Sequence, residues 1–419
     1  MCNKNVQTNA SNNPRKPVLS LILCSRNDQY MGNSLWRLQA TLNYAAQMVH
    51  ELAREEDVEV LVADWGSDIP LREVLELSPV AANMVSFILI PAEIARDLQK
   101  DSSFPEVFAL NAAARRAGGE YIGRIDQDTL VGKRFLKYFF ELYEGRRQLE
   151  VPLSSALLFA NRRSIPYRFA VRCPPLDHVD KFIRLFGQLL KVWRQNPFGQ
   201  NVFWTSYVGI WLLHRDLWDA CGGYDERLIY YNWMETDMII RLTQNHQVTD
   251  LGKKVAYDFY HLEHYNPRVN LFARAHGMKN PDVDLSYHPK VLKPSGENWG
   301  LNQFPLELLP SLLTDGKFNT VALDASPFRW LNFIILLLST GARAAEDNLF
   351  LSLRLAWRFL SIWRHRSMVA WETVRGQPFI SWTRLLTQLW SERRGGQIRQ
   401  LKNHVPQEQK IGTEGGESA

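Results

Sequence analysis

The sequence predicts an α/β fold in which a mostly parallel sheet is flanked by helices. Short runs of β-forming residues alternate with segments whose apolar residues recur at helical spacing. The predicted strands are apolar on both faces, which is typical of the buried strands of a parallel sheet. Polar residues follow the strand ends, where parallel sheets collect their ligands.

Four strands and the helices between them can be placed in order in the first third of the chain. The run PVLSLILCSRND predicts the first strand, and SLWRLQATLNYAAQMVHELARE predicts the first helix. VEVLVADWGSD predicts the second strand, which is followed by the helix-like PLREVLEL. MVSFILIPA predicts the third strand, PEVFALNAAARRAGG a helix closed by two glycines, and EYIGRID the fourth strand.

The middle of the chain is less regular. Residues 150–205 contain scattered Pro, Arg and aromatic residues and predict no regular strand, so we interpret them as a loop region that covers the substrate. The segment YVGIWLLHRDLWDACGGYDERLIYYNWMETDMIIRL predicts a strand, a short helix, a glycine turn and a helix that begins near Asn232. VAYDFYHLEH predicts the end of another strand.

Composition excludes several classes of protein. The polar first residues contain no apolar run, which argues against a secretory signal and favours a cytoplasmic location. Four cysteines at wide spacings form neither a disulfide framework nor a metal ribbon. A net charge of +5 is too small to indicate a nucleic-acid partner.

The C-terminal part is basic and rich in Trp. Residues 326–400 carry eleven Arg and no Lys against four acidic residues, a local charge of +7. Their apolar stretch WLNFIILLLSTGA has thirteen residues, fewer than the roughly twenty that span a bilayer. We predict a helical extension that either packs on the main domain or lies in the membrane interface. The predicted organisation is a disordered N-terminus (1–16), an α/β domain (17–290), a linker (291–325), the extension (326–400) and a disordered tail (401–419).

Polar side chains at the strand ends point to a bound ligand. No Gly-x-Gly-x-x-Gly follows the first strand and the sequence contains no Gly-Lys-Ser/Thr loop, which argues against a dinucleotide site and a P-loop. Side chains, together with a metal ion, would then hold the ligand. The candidates after the first, second and fourth strands are Ser25, Arg26, Asn27, Asp64, Ser67, Asp126 and Asp128.

Asp126 and Asp128 are either a solvated turn or part of a metal site. Carboxylates spaced in this way after a buried strand can bind Mg²⁺ or Mn²⁺, which often take substrate phosphate as a further ligand. Downstream, His261 and His264 add imidazoles that would favour Mn²⁺. If these histidines end a strand, only one of them is expected to reach the ion. The sequence alone leaves open which one.

In its order of motifs the chain resembles family 2 glycosyltransferases of the GT-A fold, over about residues 17–270. The resemblance implies a mostly parallel, Rossmann-like sheet that binds a nucleotide sugar, and residues 17–290 would be its catalytic domain. The matching segments are PVLSLILCSRND, EVLVADWGSD, NAAARRAGGEYIGRIDQDTLV, GGYDERL, WMETDMIIRL and FYHLEH.

The resemblance implies a role for each matching residue. Asp128 would bind the metal that bridges the diphosphate, and His261 or His264 would complete its shell. Trp65 stands where the family often has a second aspartate. The nucleotide and donor would be held by Ser25, Arg26, Asn27, Asp64, Ser67 and Asp126, and the donor or acceptor pocket would include Gly223, Tyr224 and Trp233.

The resemblance also places the catalytic base. The position four residues before Arg241 holds Asp237, and the family's usual base lies two residues earlier, at Glu235. The residue before it is Met234 where the family has an acid. We therefore predict Glu235 as the base, with Asp237 as the second candidate. A helix dipole also favours acids in a first turn, which would give both residues a purely structural role.

The predicted function is transfer of a sugar, with inversion, from a nucleoside-diphosphate sugar to a hydroxyl group. A UDP-sugar is the expected donor, and a polysaccharide or glycolipid precursor is the expected acceptor. The enzyme would need Mn²⁺ or Mg²⁺ and would act in the cytoplasm, peripherally on the inner face of the membrane. Two alternatives are a metal-dependent nucleotide or phosphate hydrolase and a non-catalytic module that binds sugar nucleotides or glycans.

Overall fold

The structure is a computed structural model that describes residues 16–28, 30–190, 192, 208–230, 234–243, 245–264, 280 and 293–312. They belong to one compact unit, Met1–Arg343, and a second unit, Ala344–Ala419, lies outside the described residues. The predicted helical extension, the predicted disordered tail, residues 1–15 of the predicted disordered N-terminus and Trp233 also lie outside them. No helix in the described ranges is both long and apolar enough to cross a membrane.

The described strands form two sheets. The larger has eight strands in the order β11-β3-β2-β1-β4-β8-β6-β9, and β3, β2, β1 and β4 run parallel to one another. The smaller has three strands in the order β5-β10-β7. The strands are β1 (Leu19–Ser25), β2 (Val58–Trp65), β3 (Val85–Ile90), β4 (Tyr121–Arg124), β5 (Thr129–Val131), β6 (Leu157–Asn161), β7 (Arg163–Ile165), β8 (Val208–His214), β9 (Val248–Asp250), β10 (Phe259–Leu262) and β11 (Leu308–Pro310).

Helices cover both faces of the larger sheet, as an α/β fold requires. Successive side chains of a strand point to opposite faces, and in β1 Leu21 and Leu23 join one hydrophobic cluster while Ile22 joins the other. The first cluster includes side chains of α1, α3 and α6, and the second includes side chains of α5, α9 and α10. The helices are α1 (Ser34–His50), α2 (Leu71–Val74), α3 (Pro79–Met84), α4 (Ala92–Gln99), α5 (Glu106–Arg116), α6 (Lys133–Tyr143), α7 (Tyr167–Ala170), α8 (Leu176–Phe186), α9 (Arg215–Cys221) and α10 (Met234–Thr243).

The predicted α/β class and mostly parallel sheet are confirmed. The helix predicted from PLREVLEL is a single turn, α2, because the chain turns extended at Leu75. Within 150–205, where no regular strand was predicted, the structure contains β6, β7, α7 and α8. β7 has only three residues and begins at Arg163, whose guanidinium donates to the carbonyl of Leu190 at 2.7 Å. A buried arginine in a strand of three residues breaks the apolar pattern by which a strand is recognised in the sequence.

The register of the smaller sheet brings distant residues together. β10 pairs antiparallel with β5, and His261 lies opposite Thr129. The amide of Leu262 donates to the carbonyl of Asp128 at 2.9 Å. This pairing places the C-terminal end of β10 beside the segment that follows β4.

Asn111 of α5 fastens the glycine turn before α10. Its side chain accepts from the amide of Tyr224 at 2.8 Å and donates to the carbonyl of Tyr224 at 2.9 Å. Gly223 has φ of 68°, and a Cβ atom there would lie 2.3 Å from Asn111 Oδ1. The turn therefore needs both the asparagine and the glycine.

We predict that Asn111→Ala lowers the free energy of unfolding by about 2–3 kcal/mol, because it leaves two buried backbone groups of Tyr224 without partners. Denaturant unfolding followed by circular dichroism measures the change. The matched control is Asn83→Ala, an exposed asparagine in α3, which should change stability by less than about 0.5 kcal/mol. Equal effects of the two substitutions would refute the proposed anchoring role.

Candidate functional site

Asp128 lies buried between two histidines at the carboxyl end of the parallel strands. Its Oδ1 lies 3.3 Å from His261 Nε2, and its Oδ2 lies 2.8 Å from His264 Nε2. The two Nε2 atoms are 3.3 Å apart. The pairing of β10 with β5 produces this arrangement, since His261 ends up opposite the residue that follows Asp128.

The charges around Asp128 favour its ionised form. Burial opposes ionisation, but His261 and His264 outweigh it and hold the pKa of Asp128 well below its usual range. Burial and Arg162 lower the pKa of His261, yet Asp128 and Glu263 prevail and raise it. On the other side of the ring, His261 Nδ1 lies 3.5 Å from Glu263 Oε1. Burial raises the pKa of Glu263, but His261 and its other partners bring it down to about 2.

Asp128, His261 and His264 have the composition of a transition-metal site. Their donor atoms all lie within 4.8 Å of one another. One carboxylate with two imidazoles suits Mn²⁺ or a later metal better than Mg²⁺, which prefers oxygen ligands. The contact of His261 with Glu263 is the kind that fixes the orientation of a metal-binding imidazole. Both histidines reach Asp128, so neither is excluded as a ligand.

Arg37 was not among the predicted site residues, although it faces Asp128 from α1. Its Nε lies 3.6 Å from Asp128 Oδ2, and its side chain is 3% exposed. The same guanidinium donates to the carbonyls of Gly32 and Tyr30. The sequence signal for Arg37 was its place among the apolar, core-facing positions of the first helix. A buried arginine there requires a partner of opposite charge.

A second cluster surrounds the guanidinium of Arg124, the last residue of β4. Its Nη2 lies 2.7 Å from Asp126 Oδ1, 3.3 Å from Glu235 Oε1 and 3.4 Å from Glu106 Oε2. Arg162 pairs with the other oxygen of Asp126 and donates to Thr129 Oγ1 at 3.1 Å. Asp126 is thus held by two arginines.

The carboxylates near these two arginines differ in the direction in which their pKa is shifted. Burial would raise the pKa of Asp126, but Arg124 and Arg162 lower it. Burial raises the pKa of Glu235 against the opposing effect of Arg124. Burial also raises the pKa of Glu106, to about 7. The side chain of Glu106 is 37% exposed, and the nearby acids Asp126, Glu235 and Asp128 add to the effect of burial on its pKa.

The predicted donor-binding residues gather at the ends of β1 and β2. Ser25 donates to the side-chain oxygen of Gln127, next to Asp128. Arg26 donates to Asp28 at 2.8 Å and to Gln99 at 3.2 Å, and the amide of Asn27 donates to Ser67 Oγ at 2.8 Å. A cavity of about 270 Å³ opens here, lined by Arg26, Trp65, Gly66, Asp68, Ala92, Ala95, Arg96 and Gln99.

Two residues beside this cavity have extensive contacts within the chain. Asp64 accepts from Ser67 Oγ through one oxygen and from the amide of Leu71 at 2.7 Å through the other. Trp65 is fully buried and stacks on Phe108 with ring centroids 6.1 Å apart. Asp64 therefore shapes the loop before α2, and its predicted contact with the base or ribose stays a prediction.

The acids of α10 have different surroundings. Asp237 pairs with Arg241 at 2.9 Å and is 4% exposed. Arg241 also donates to the carbonyls of Cys221 and Gly223 at 2.8 and 2.9 Å. Asp237 thereby ties the helix to the glycine turn, whereas Glu235 faces the Arg124 cluster. Gly223 and Tyr224 lie in that turn, and the buried Tyr224 hydroxyl has no hydrogen-bond partner among the residues that the structure describes.

The structure unites most of the predicted side chains at one edge of the sheet. Asp126 and Glu235 share Arg124, and Asp128 meets both histidines. Trp233 lies outside the described residues. The residues that the sequence reasoning missed are Arg37, Glu106, Arg124 and Arg162. For Arg124 the available signal was a charged residue at the end of an otherwise apolar strand.

Comparisons with known proteins give weak matches. No protein-family model and no curated protein matches the sequence. Among solved structures, TarS of S. aureus matches at 14% identity with a TM-score of 0.38, over 58% of this chain and 36% of TarS. Thus the chain spans about a third of the length of that protein. Such similarity establishes neither a family nor an activity.

Two further solved structures match at similar levels. TarS 1-349 in complex with UDP matches at 15% identity with a TM-score of 0.38, over 58% of this chain and 60% of that one. A Drosophila β1,4-galactosyltransferase 7 mutant, in complex with manganese, UDP-Gal and xylobiose, matches at 12% identity with a TM-score of 0.35, over 66% of this chain and 83% of that one.

We predict that the chain binds one Mn²⁺ and that His261→Ala and His264→Ala each weaken binding at least about tenfold, because each removes a donor facing Asp128. Electron paramagnetic resonance of free Mn²⁺ measures the dissociation constants. The matched control is His50→Ala, whose imidazole is 63% exposed on α1. Unchanged affinity in both site variants would show that these residues do not hold the ion.

Proposed function

We propose that this chain is an inverting, metal-dependent glycosyltransferase of the GT-A fold and of family 2. It would move a sugar from a nucleoside-diphosphate sugar, with a UDP-sugar as donor, to a hydroxyl group of a polysaccharide or glycolipid precursor. The supporting observation is the cluster of Asp128, His261 and His264 at the carboxyl ends of parallel strands. The Arg124 cluster with Glu235 lies beside it, joined through the short segment from Asp126 to Asp128.

Asp128, His261 and His264 would hold the divalent ion, with Mn²⁺ proposed ahead of Mg²⁺. When bound, such an ion supplies Lewis-acid stabilisation of the negative charge on a departing diphosphate. The chain's own contribution is a buried carboxylate kept ionised by its neighbours. Arg162 and Arg124 add fixed positive charge around Asp126, on the side where the donor sugar is proposed to lie.

Glu235 is proposed as the general base that removes the proton of the acceptor hydroxyl. Its side chain is 12% exposed, and burial raises its pKa above the ordinary value, which makes it a stronger base. The Arg124 contact at 3.3 Å fixes its position. Asp237 is the weaker candidate because its carboxylate is paired with Arg241.

The cavity between β1, β2 and α4 is the proposed site of the nucleobase. Arg26, Asp68 and Gln99 present polar groups there beside the buried ring of Trp65. Ser25, Asn27, Asp64, Ser67 and Asp126 are proposed to shape or contact the rest of the nucleotide. Gly223, Tyr224 and Trp233 are proposed to border the donor or acceptor pocket, and the enzyme is proposed to act in the cytoplasm at the membrane surface.

A thermal-shift panel tests the nucleotide class. UDP, GDP, CDP and dTDP are each tested with Mn²⁺, Mg²⁺ or chelator, on the wild type and on Asp128→Ala. A ligand at a hundredfold excess over its dissociation constant stabilises the folded state by about 2.7 kcal/mol. We expect UDP with Mn²⁺ to stabilise the wild type and to have no effect on Asp128→Ala. If no diphosphate stabilises the wild type with any metal, the proposal fails.

A product assay with the nucleotide sugar, with and without an acceptor, separates the two alternative functions. Binding followed by release of nucleotide or phosphate without any acceptor would indicate a hydrolase. Binding with neither hydrolysis nor transfer would indicate a non-catalytic module, an outcome to which Met234 in place of the family's acid gives weight.

We predict that Glu235→Gln lowers kcat for sugar transfer by about 100- to 10,000-fold, because the amide cannot accept the proton of the hydroxyl. The dissociation constant for UDP with Mn²⁺ should change by less than about threefold, since within the described part of the chain no hydrogen bond or salt bridge links Glu235 to Asp128, His261 or His264. A radiolabelled transfer assay and calorimetry measure the two quantities. Glu73→Gln, an exposed glutamate in α2, is the matched control, and equal activities of the two variants would exclude Glu235 as the base.

A further inference from the structure

Arg37 is a buried cation that faces the carboxylate of Asp128 without a hydrogen bond to it. Its side chain is 3% exposed, and its Nε lies 3.6 Å from Asp128 Oδ2. The terminal nitrogens of its guanidinium donate instead to the carbonyls of Gly32 and Tyr30. Nε is buried and has no hydrogen-bond partner among the described residues. Arg37 therefore acts on Asp128 through its charge and leaves both carboxylate oxygens to other partners.

The loop before α1 holds the guanidinium in this place. Residues 31–33 have φ between 52° and 71°, and this left-handed run is followed by the first turn of the helix. The carbonyls of Tyr30 and Gly32, on either side of the start of this run, both accept from Arg37. The hydroxyl of Ser34 donates to a further carbonyl of the same loop. The position of the charge is thus set by the loop and the helix, and it does not depend on a bond to the carboxylate.

An ion held by Asp128 and the two histidines would have the charge of Arg37 close behind it. Arg37 is the one arginine or lysine within 4 Å of Asp128 in the described ranges. Of the other nearby acids, Glu263 lies beyond His261, 3.5 Å from its Nδ1, and Asp126 is held by two other arginines. Since two positive charges at such short range repel each other, Arg37 opposes a bare cation. The same charge favours an anion that reaches the ion.

We infer that Arg37 couples the metal ion to the anionic ligand of that ion. The charge of Arg37 opposes binding of the ion alone and attracts a diphosphate that arrives with it. Burial lowers the pKa of Arg37 and Asp128 opposes the decrease, but an arginine keeps its proton near neutral pH. The inference rests on the proposed function, in which the anion is a nucleoside diphosphate. Its consequence is that ion and nucleotide occupy the site together.

The first test measures binding of Mn²⁺ alone, by electron paramagnetic resonance of the free ion at about pH 8, where most imidazoles are neutral. Arg37→Gln removes the charge, while its amide can still donate to a loop carbonyl. We expect this variant to bind Mn²⁺ at least about fivefold more tightly than the wild type, because a repelling charge is lost. Arg37→Lys keeps the charge and should stay within about threefold of the wild type.

The second test measures binding of the preformed complex of Mn²⁺ with UDP by calorimetry. This complex is anionic, so loss of the positive charge should weaken its binding to Arg37→Gln by at least about fivefold. The two changes have opposite signs, which distorted site geometry does not produce, because distortion weakens both ligands. The same titration with the Mn²⁺ complex of inorganic pyrophosphate should give the same direction, since the charge acts on the diphosphate.

Two control variants separate the charge of Arg37 from the loop and from the surface. Ser34→Ala removes a hydrogen bond of the same loop without changing any charge. Arg168→Gln removes a positive charge from an exposed position on α7. Each should leave both dissociation constants within about threefold of the wild type, because neither changes the charge beside Asp128. An increase in Mn²⁺ affinity in Ser34→Ala equal to that in Arg37→Gln would assign the effect to the loop and refute the inference.

The outcomes also distinguish the inference from the proposed function. If Arg37→Gln weakens binding of Mn²⁺ and of the Mn²⁺ complexes alike, or changes neither, Arg37 has only a structural role and the inference is wrong. Arg37→Met repeats the comparison without any donor group, and circular dichroism verifies that each variant is folded. If the wild type does not bind the UDP complex, the proposed donor is wrong, and the comparison of Mn²⁺ with its pyrophosphate complex still decides the role of Arg37.

Discussion

The architecture of the site follows from the need to neutralise one half-buried and one buried carboxylate, Asp126 and Asp128, at the end of one central strand. Asp126 and Asp128 both follow β4 in a segment covered by other elements. An unpaired buried charge costs several kcal/mol, and breaking a buried pair by removing one partner typically costs about 3–5 kcal/mol. The chain solves this with two separate sets of partners, Arg124 and Arg162 for Asp126, and Arg37, His261 and His264 for Asp128.

The partners of Asp126 and Asp128 come from distant parts of the sequence, and the tertiary structure brings them together. Arg124 comes from β4 itself, Arg162 from the connection between β6 and β7, and His261 from β10. The smaller sheet determines the positions of two of these partners. The pairing of β10 with β5 and β7 places Arg162 and His261 beside the segment after β4. A shift of register by one residue would turn His261 away from Asp128, since alternate strand residues face opposite sides. The metal site thus depends on backbone pairing as much as on the ligands.

The parts of the fold that could be predicted from sequence are those with a strong local signal. The strands β1 to β4 are apolar runs bounded by polar residues, and the order of Asp128, Glu235 and the two histidines was visible in the motifs. β6 and β7 were missed because they are short and because Arg162 and the buried Arg163 interrupt the apolar pattern between them. Glu106 and Arg124 were missed because a charged residue in a helix or at a strand end has no local mark that distinguishes a cluster from a solvated surface. Only the assembled sheet shows that they share one nitrogen.

We propose that Asp128, His261 and His264 hold a divalent ion that binds the diphosphate of a nucleotide. Crystals grown with Mn²⁺ and UDP, with diffraction data collected at the manganese absorption edge, test it most directly. We expect a single strong anomalous peak among these three side chains, in contact with diphosphate oxygens. A bound UDP whose diphosphate lies away from these residues, or an anomalous peak elsewhere in the chain, would contradict it.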